Sequence, residues 1–308
     1  MKLGKDAARD MPLDTLTLTG VPVTRGPDAG SPGHNTAAFA HASPSRSGVT
    51  RPEGVGMALD PEGVTSVAEG VFRLHRAGVN CYLIRDAAGL TLVDAGLPGM
   101  WPLLERALDT VGAKPSDIDA LLLTHGHFDH VGFAEKLRDH HGVASHIHPV
   151  DGPLARHPYR YRSQSSRVLA PLRHPGGLPI LARMMAAGAL RVKGTPARTD
   201  VTPGQPVDAP GGLVPVFSPG HTYGHCGFHL ASRGILFSGD ALVTLDPYTS
   251  RTGPRVVAKA ATADAGAALA SLDALAATGA TTILPGHGSP FEGNVADAVE
   301  SARRAGVA

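Results

Sequence analysis

Short apolar runs alternate with segments of helical periodicity along most of the chain. Runs of strand length end at turn residues, as at 79–84 and 90–93, where residues 86–89 supply the turn of a hairpin. Segments with apolar residues at helical spacing lie between such runs. This order of strand, helix and strand predicts an α/β fold. The predicted elements up to residue 150 are strands 71–74, 79–84, 90–93, 118–123 and 143–147 and helices 100–111 and 129–141.

The same pattern resumes after residue 211. Short apolar runs are again bounded by Gly, Pro and Ser, and one segment rich in Ala and Leu has helical spacing. We therefore expect this half to add strands and helices to the same α/β fold. The predicted elements are strands 212–217, 227–230, 235–237 and 281–284 and helices 262–278 and 295–304.

Residues 151–200 interrupt the alternation. This segment carries nine Lys and Arg residues but only two acids, and its apolar stretch 178–190 predicts an amphipathic helix. Long segments between core elements often form lids or binding loops, so we expect a basic helical cap inserted into the domain. The positive charge has three interpretations: attraction of an anionic substrate, a solvated face, or the contact of a homodimer.

Residues 1–60 have a different composition from the rest. The part from 26 to 56 mixes Gly, Pro, Ser, Ala, Thr and His with little periodicity, so it cannot bury enough apolar surface to offset chain entropy. We expect a disordered tail at 1–60 and a folded domain at 61–308. The sequence shows no apolar secretory signal and no run of 18 apolar residues, so a cytoplasmic location is expected.

Composition narrows the classes of partner. The 308 residues carry a net charge of +1, with 42% hydrophobic and 18% charged residues. Such a balance is ordinary for a globular protein and gives no electrostatic reason to expect a nucleic-acid or membrane partner. Only two cysteines are present, so no disulfide framework supports the fold. A small-molecule substrate is the expected partner.

Four side chains that can bind metals follow the predicted strand 118–123. They are His125, His127, Asp129 and His130, in the run Thr-His-Gly-His-Phe-Asp-His. The end of a buried strand is a usual position for chemistry in α/β proteins. Because neighbouring residues there point in different directions, one ion cannot easily use all four ligands. The spacing therefore predicts two adjacent metal ions.

Three further strand ends supply the remaining ligands. Each of His221, Asp240 and His287 directly follows a glycine at the end of a short apolar run. Glycine lets the backbone turn sharply and come close to a bound group. Imidazole and carboxylate ligands without cysteine suit Zn, Mn or Fe, and the number of His favours two Zn²⁺ ions. The predicted sets are His125, His127 and His221 for one ion and Asp129, His130 and His287 for the other, with Asp240 as the bridge.

Such a centre implies metal-assisted hydrolysis. A water that bridges two zinc ions becomes hydroxide near neutral pH and can attack a carbonyl or phosphoryl centre. Asp129 can orient this hydroxide and later move a proton to the leaving group. Tyr223 and Tyr248 lie close to predicted ligands in the sequence and can donate hydrogen bonds to a developing oxyanion. Asp94, at the end of the strand 90–93, is expected to support a metal-bound His.

The order His125-x-His127-x-Asp129-His130, His221, Asp240 and His287 resembles the metallo-β-lactamase superfamily. The resemblance covers about residues 65–305 and implies a four-layer αβ/βα sandwich with a dinuclear site at one edge of the two sheets. The segment 219–225 is similar to the glyoxalase II and lactonase branches. Asp240 stands where true β-lactamases of this superfamily lack Asp, so antibiotic hydrolysis is not expected as the main activity.

These observations lead to three functional hypotheses. The first is a dinuclear zinc hydrolase that cleaves a small ester, lactone or thioester, with the basic segment favouring an anionic substrate. The second is a mononuclear iron enzyme resembling persulfide dioxygenases. The third is a binding or regulatory protein on a retained hydrolase fold, which the complete ligand set argues against.

Overall fold

A computed structural model describes residues 61–308 of the chain. The expected disordered tail at 1–60 lies outside these residues, and the boundary at 61 stays a prediction. The strands are β1 Gly63–Ala68, β2 Val71–Arg76, β3 Val79–Arg85, β4 Leu90–Val93, β5 Ala120–Leu122, β6 Ser145–His146, β7 Val214–Phe217, β8 Cys226–Leu230, β9 Ile235–Gly239, β10 Val243–Leu245, β11 Thr252–Arg255, β12 Thr282–Pro285 and β13 Phe291–Glu292. The helices are α1 Trp101–Thr110, α2 Ala134–His141, α3 Gly152–Arg156, α4 Ala170–Arg173, α5 Leu178–Ala186, α6 Ala265–Ala276 and α7 Val295–Ala305.

Two main sheets organise these elements. The first contains six strands in the order β1-β2-β3-β4-β5-β6, in which β4, β5 and β6 run parallel. The second contains five strands in the order β13-β12-β9-β8-β7, in which β12 and β9 run parallel. Strands β10 and β11 form a separate antiparallel pair.

Side chains alternate between the two faces of each sheet, so neighbouring residues of one strand enter different cores. Leu83 packs with α1 and α2, whereas Ile84 packs against the second sheet. On the second sheet, Phe237 faces the first sheet and Leu236 faces α6 and α7. Helices therefore cover the outer faces of two sheets that pack together. The expected α/β fold, a four-layer αβ/βα sandwich, is confirmed.

Helix α2 begins five residues later than the sequence pattern predicts. Residues 129–133 instead form a turn whose backbone bonds to the segment after β4, through Gly132 N to Gly96 O at 2.9 Å and Ala95 N to His130 O at 2.7 Å. A Cβ at Gly132 would collide with the Gly96 carbonyl, so only glycine permits this approach. The predicted helix start at 129 is wrong because these tertiary bonds hold the ligand-bearing turn outside the helix.

The segment 151–200 contains α3, α4 and α5 between β6 and β7. The apolar stretch predicted as a helix over 178–190 forms α5 at Leu178–Ala186, so the helix is shorter at its C-terminal end. Whether this segment acts as a cap, and whether it mediates a homodimer, stay predictions.

None of the helices in residues 61–308 is long and apolar enough to cross a membrane. The cytoplasmic location expected from the sequence stays a prediction.

One buried carboxylate connects the loops that follow β5 and β7. Asp151 accepts hydrogen bonds from Gly126 N at 3.1 Å, Thr222 Oγ1 at 2.7 Å and Gly224 N at 2.8 Å. Burial raises the pKa of its carboxyl group, although these three donors act in the opposite direction. Because three donors from two loops meet on one carboxylate, Asp151 fixes the separation of those loops.

Asp151→Ala should lower the free energy of unfolding by about 2 kcal/mol or more, because it leaves three buried donors without their acceptor. Urea denaturation measures this change. The exposed Asp208 is the matched control, and Asp208→Ala should change stability by less than about 0.5 kcal/mol. Equal stabilities of the two variants would contradict the assigned role of Asp151.

Gly220→Ala tests the contact between the loop after β7 and helix α6. Gly220 has φ +133°, and a Cβ there would collide with the backbone of Ala268 in α6. We expect a loss of about 3 kcal/mol from strain and collision together. Gly112 also has a positive φ, +68°, but has open space around it, so Gly112→Ala should cost about 1 kcal/mol. Losses of the same size in both variants would show that φ strain alone acts at Gly220.

Candidate metal centre

The seven predicted ligands come together where strands of both sheets end. The loop after β5 carries His125, His127, Asp129 and His130, and His221, Asp240 and His287 follow β7, β9 and β12. Backbone bonds join the two sheets at this edge, from Cys226 N to Thr124 O at 2.9 Å and from Asn80 N to Gly286 O at 2.8 Å. Each of the seven side chains is at most 5% exposed.

The first group consists of His125, His127 and His221, whose nitrogens lie within 4.8 Å of one another. His125 Nδ1 lies 3.0 Å from Thr124 Oγ1, which leaves Nε2 directed at the other rings. His127 Nδ1 and His221 Nε2 are 2.9 Å apart. Three imidazole nitrogens therefore converge on one buried point.

The second group consists of Asp129, His130 and His287, and it meets the same distance criterion of 4.8 Å. His287 Nε2 lies 3.3 Å from Asp129 Oδ2, while its Nδ1 donates to Gly78 O at 2.9 Å. His130 Nδ1 donates to Asp94 Oδ2 at 2.8 Å, which leaves its Nε2 for the centre. The expected contact between Asp94 and a predicted ligand is thus confirmed.

Asp240 lies between the two groups. Its Oδ2 is 3.3 Å from His221 Nε2 and 3.2 Å from His287 Nε2, and its Oδ1 is 3.4 Å from His130 Nε2. His125, His130 and Asp240 also form a third set within 4.8 Å. One carboxylate therefore contacts nitrogens of both groups.

Several donor atoms of this cluster have no hydrogen-bond partner within the described residues. They include Nε2 of His125 and Nε2 of His127, both with almost no contact with solvent. Buried polar atoms normally have partners, so these atoms need an explanation. A divalent cation would satisfy them, and nitrogen and oxygen donors without sulfur suit such ions. The residues present therefore fit a metal site.

The histidines of the two groups differ in the direction of their pKa shifts. Burial, followed by the neighbouring imidazoles, holds the pKa of both His125 and His127 well below the usual range, so these rings are neutral nitrogen donors. Burial also acts to lower the pKa of His287, but Asp240 and Asp129 raise it to about 10. Burial acts to raise the pKa of Asp240, but His287 and His130 hold it well below its usual range. Without metal, His287 and Asp240 therefore form a buried pair of opposite charges.

His225 fixes the backbone of Asp240. Its Nε2 accepts a hydrogen bond from Asp240 N at 3.0 Å, and its Nδ1 lies 2.9 Å from Ser218 Oγ. Burial lowers the pKa of His225 to about 3, so the ring is neutral and can accept this bond. His225 therefore positions a predicted ligand through the backbone of that ligand, and its ring centroid lies 5.1 Å from that of His125.

The loop that carries His287 is held from behind by polar side chains of the first sheet. Asn80 Nδ2 donates to Pro285 O at 2.8 Å and to Gly288 O at 2.7 Å, and Arg73 donates to Gly288 O at 2.9 Å. Sequence reasoning did not single out Asn80. The available signal was one amide side chain at the second position of the otherwise apolar run 79–84.

Tyrosines lie at different distances from the centre. Tyr248 lines a small cavity of about 10 Å³ together with His127, Asp129 and His287, whereas Tyr223 is 47% exposed and does not line it. Tyr161 was not predicted as a site residue, yet its ring centroid lies 4.0 Å from that of His127 and its hydroxyl 3.3 Å from that of Tyr248. The sequence signal for Tyr161 was only its position in the basic segment.

A family model described as the metallo-beta-lactamase superfamily matches residues 76–287. The probable metallo-hydrolase YflN of Bacillus subtilis is 27% identical over 251 residues, which cover 73% of this chain and 86% of YflN. The hydroxyacylglutathione hydrolase GloC of Haemophilus influenzae is 28% identical over 167 residues, which cover 53% of this chain and 66% of GloC.

Solved structures agree with the family match. The metallo-beta-lactamase family protein TTHA1429 of Thermus thermophilus aligns with a TM-score of 0.55 and 26% identity, over 77% of this chain and 79% of that protein. BJP-1, a subclass B3 metallo-beta-lactamase of Bradyrhizobium japonicum, aligns with a TM-score of 0.55 at 18% identity, which is a likeness of fold alone. The expected class of metal-dependent hydrolase is confirmed. The chain belongs to the metallo-beta-lactamase superfamily.

Proposed function

We propose that the chain is a dinuclear zinc hydrolase of small esters, lactones or thioesters, in the glyoxalase II and lactonase-like part of the superfamily. The observation that carries this proposal is the position of Asp240. Its carboxylate contacts His221 of the first group and His130 and His287 of the second, so the two groups share one negatively charged side chain. Two adjacent cations need such a shared anion to reduce their repulsion.

Zinc is the proposed metal because five of the seven predicted ligands are imidazoles and the other two are carboxylates. Zinc binds such nitrogen and oxygen ligands, usually four to each ion. Two bound ions would supply Lewis acidity toward the carbonyl oxygen and a water of lowered pKa as the nucleophile. The proposed ligands are His125, His127 and His221 for one ion and Asp129, His130 and His287 for the other, with Asp240 shared.

Asp129 is the proposed proton carrier. Its Oδ2 contacts His287 Nε2, and the residue lines the small cavity, where a reacting group would lie. A carboxylate in this position can accept a proton from the attacking water and return it to the leaving oxygen or sulfur.

The walls of the small cavity limit water. Phe128, Met184, Pro247 and Val257 line it, and its volume of about 10 Å³ is close to the space of one water molecule. Exclusion of bulk water strengthens every electrostatic interaction with a bound carbonyl group.

Tyr248 is the proposed hydrogen-bond donor to the developing oxyanion. Burial raises the pKa of its phenol well above the usual range, so the group stays protonated and can donate. Asp246 holds the turn before it, since it accepts from Tyr248 N at 3.0 Å and from Thr249 Oγ1 at 2.8 Å. Tyr223, the other tyrosine expected to act in catalysis, would contact the substrate farther from the small cavity.

The similarity to GloC supports a thioester among the substrate classes, because GloC is named for the hydrolysis of a glutathione thioester. YflN is named as a probable metallo-hydrolase and GloC as a hydrolase, so the iron-dependent dioxygenase alternative is not favoured.

Metal content and turnover test the proposal together. Zinc-loaded protein should contain two ions per chain and hydrolyse members of a panel of aryl esters, lactones and thioesters, and a chelator should abolish the activity reversibly. Asp240→Asn should lower zinc content and reduce kcat by about 100-fold or more, because the shared anion is lost. Asp200→Asn is the control, since Asp200 pairs with His146 away from the centre.

The absence of hydrolysis by zinc-replete protein at every pH between about 6 and 9 would refute this function. One iron per chain in the isolated protein, together with oxygen uptake on a persulfide, would favour the dioxygenase instead.

Tyr248→Phe should lower kcat by at least about tenfold with little change in KM, because the hydroxyl is used mainly in the transition state. Steady-state kinetics with an aryl ester measure both constants. Tyr161→Phe breaks the same pair of hydroxyls but leaves the Tyr248 hydroxyl in place, so it should lower kcat much less. An unchanged kcat in Tyr248→Phe would exclude the role of Tyr248 as a donor.

A further inference from the structure

A second cavity, about 380 Å³ in volume, lies next to the small one. We call it the outer cavity. His221 and Tyr161 line both spaces, so the outer cavity adjoins the predicted ligands of the first group. Its volume lies at the lower end of the range for ligand pockets, about 300–1,000 Å³. It has room for the non-reacting part of a small substrate whose carbonyl group enters the small cavity.

One part of the outer cavity is apolar. Val150, Pro153, Leu154 and Ala263 line it, and these residues come from the segment around α3 and from the loop before α6. Val150 is 54% exposed, so its surface is available to a ligand. Such walls favour a short hydrocarbon chain or ring.

Two guanidinium groups also line the outer cavity. Arg160 and Arg162 are exposed, and neither side chain has a hydrogen bond or ion pair within residues 61–308. By contrast, Arg138 pairs with Asp139 and Lys193 pairs with Glu135. The two arginines therefore present unpaired positive charge to a cavity beside the metal centre.

The acid that lines the outer cavity does not neutralise them. Asp151 is buried, and both its oxygens accept hydrogen bonds from the loops after β5 and β7. Arginine presents a planar fork of donors that matches a carboxylate in geometry. A carboxylate on the substrate is the anion that fits two such groups beside an apolar wall.

We propose that the outer cavity binds the non-reacting end of the substrate and that this end is a short hydrocarbon chain terminating in a carboxylate. Arg160 and Arg162 are then specificity-determining residues. This inference rests on the proposed hydrolase function, because it places the ester, lactone or thioester carbonyl in the adjoining small cavity.

A matched pair of aryl esters tests the proposal. The para-nitrophenyl monoester of glutaric acid carries a terminal carboxylate, and para-nitrophenyl pentanoate has a neutral chain of similar length. Zinc-loaded wild-type protein should prefer the monoester. R160A/R162A should lower kcat/KM for the monoester by at least about tenfold, mainly through KM, and should leave the pentanoate nearly unchanged, because two charge-assisted hydrogen bonds are lost.

Two control variants separate a local effect from a general one. R173A/R191A removes the same charge from exposed positions of the same segment that do not line the cavity, so it should keep the wild-type preference. R160K/R162K keeps the charge and should restore part of the preference. An equal loss in R173A/R191A, or no change of preference in R160A/R162A, would overturn the proposal.

Binding without turnover distinguishes this inference from the proposed function. Glutaric acid monoanilide has the same carboxylate chain but an amide in place of the ester, and calorimetry measures its affinity. Wild-type protein should bind it at least about tenfold more tightly than R160A/R162A. This difference in the absence of any ester hydrolysis would support the cavity and refute the hydrolase, whereas no binding by wild-type protein, or equal binding, would refute the cavity.

Discussion

The Asp240 carboxylate lies almost completely buried among imidazoles of both ligand groups. A carboxylate in such a place is costly unless positive charge and hydrogen bonds compensate it. In the metal-free protein His130 and His287 supply that charge, because nearby carboxylates raise the pKa of both rings. Bound cations would take over this compensation and leave the imidazoles as neutral ligands. Much of the surrounding structure is arranged to hold these groups together.

That arrangement relies on residues that contact the ligands or their loops from outside. Asp94 accepts from His130 and from Thr124, while His225 accepts from the backbone of Asp240. Asp151 joins two ligand loops, and Asn80 holds the loop of His287. Such supports hold the ligands in place before a metal binds, so less conformational entropy is lost on binding. Rigidity of the centre therefore comes from the polar contacts between loops as well as from the apolar layers.

The small cavity and the outer cavity differ in their walls. The small cavity is nearly closed and is bounded by the aromatic ring of Tyr161, which stacks with Arg167 at 4.2 Å and lies against His127. The outer cavity carries the free guanidinium groups. Seven of the twelve residues that line the outer cavity belong to the segment 151–200, whereas this segment contributes only Tyr161 and Met184 to the small cavity. The small cavity is therefore formed mainly by the loops that carry the predicted ligands, and the outer cavity mainly by the inserted segment.

The sequence alone predicted the α/β fold and all seven candidate ligands, because His and Asp residues that follow short apolar runs can be recognised from the order of residues. It did not determine where α2 begins, since the bonds between Gly132 and Gly96 are tertiary. It also could not reveal the contacts of Asp151 or Tyr161, whose partners lie in distant loops. Strands and helices can be predicted from the spacing of apolar side chains along the chain. A contact between two loops depends instead on how the layers of the fold pack together. Only the tertiary structure could therefore decide which tyrosine lies at the centre and which arginines line the outer cavity.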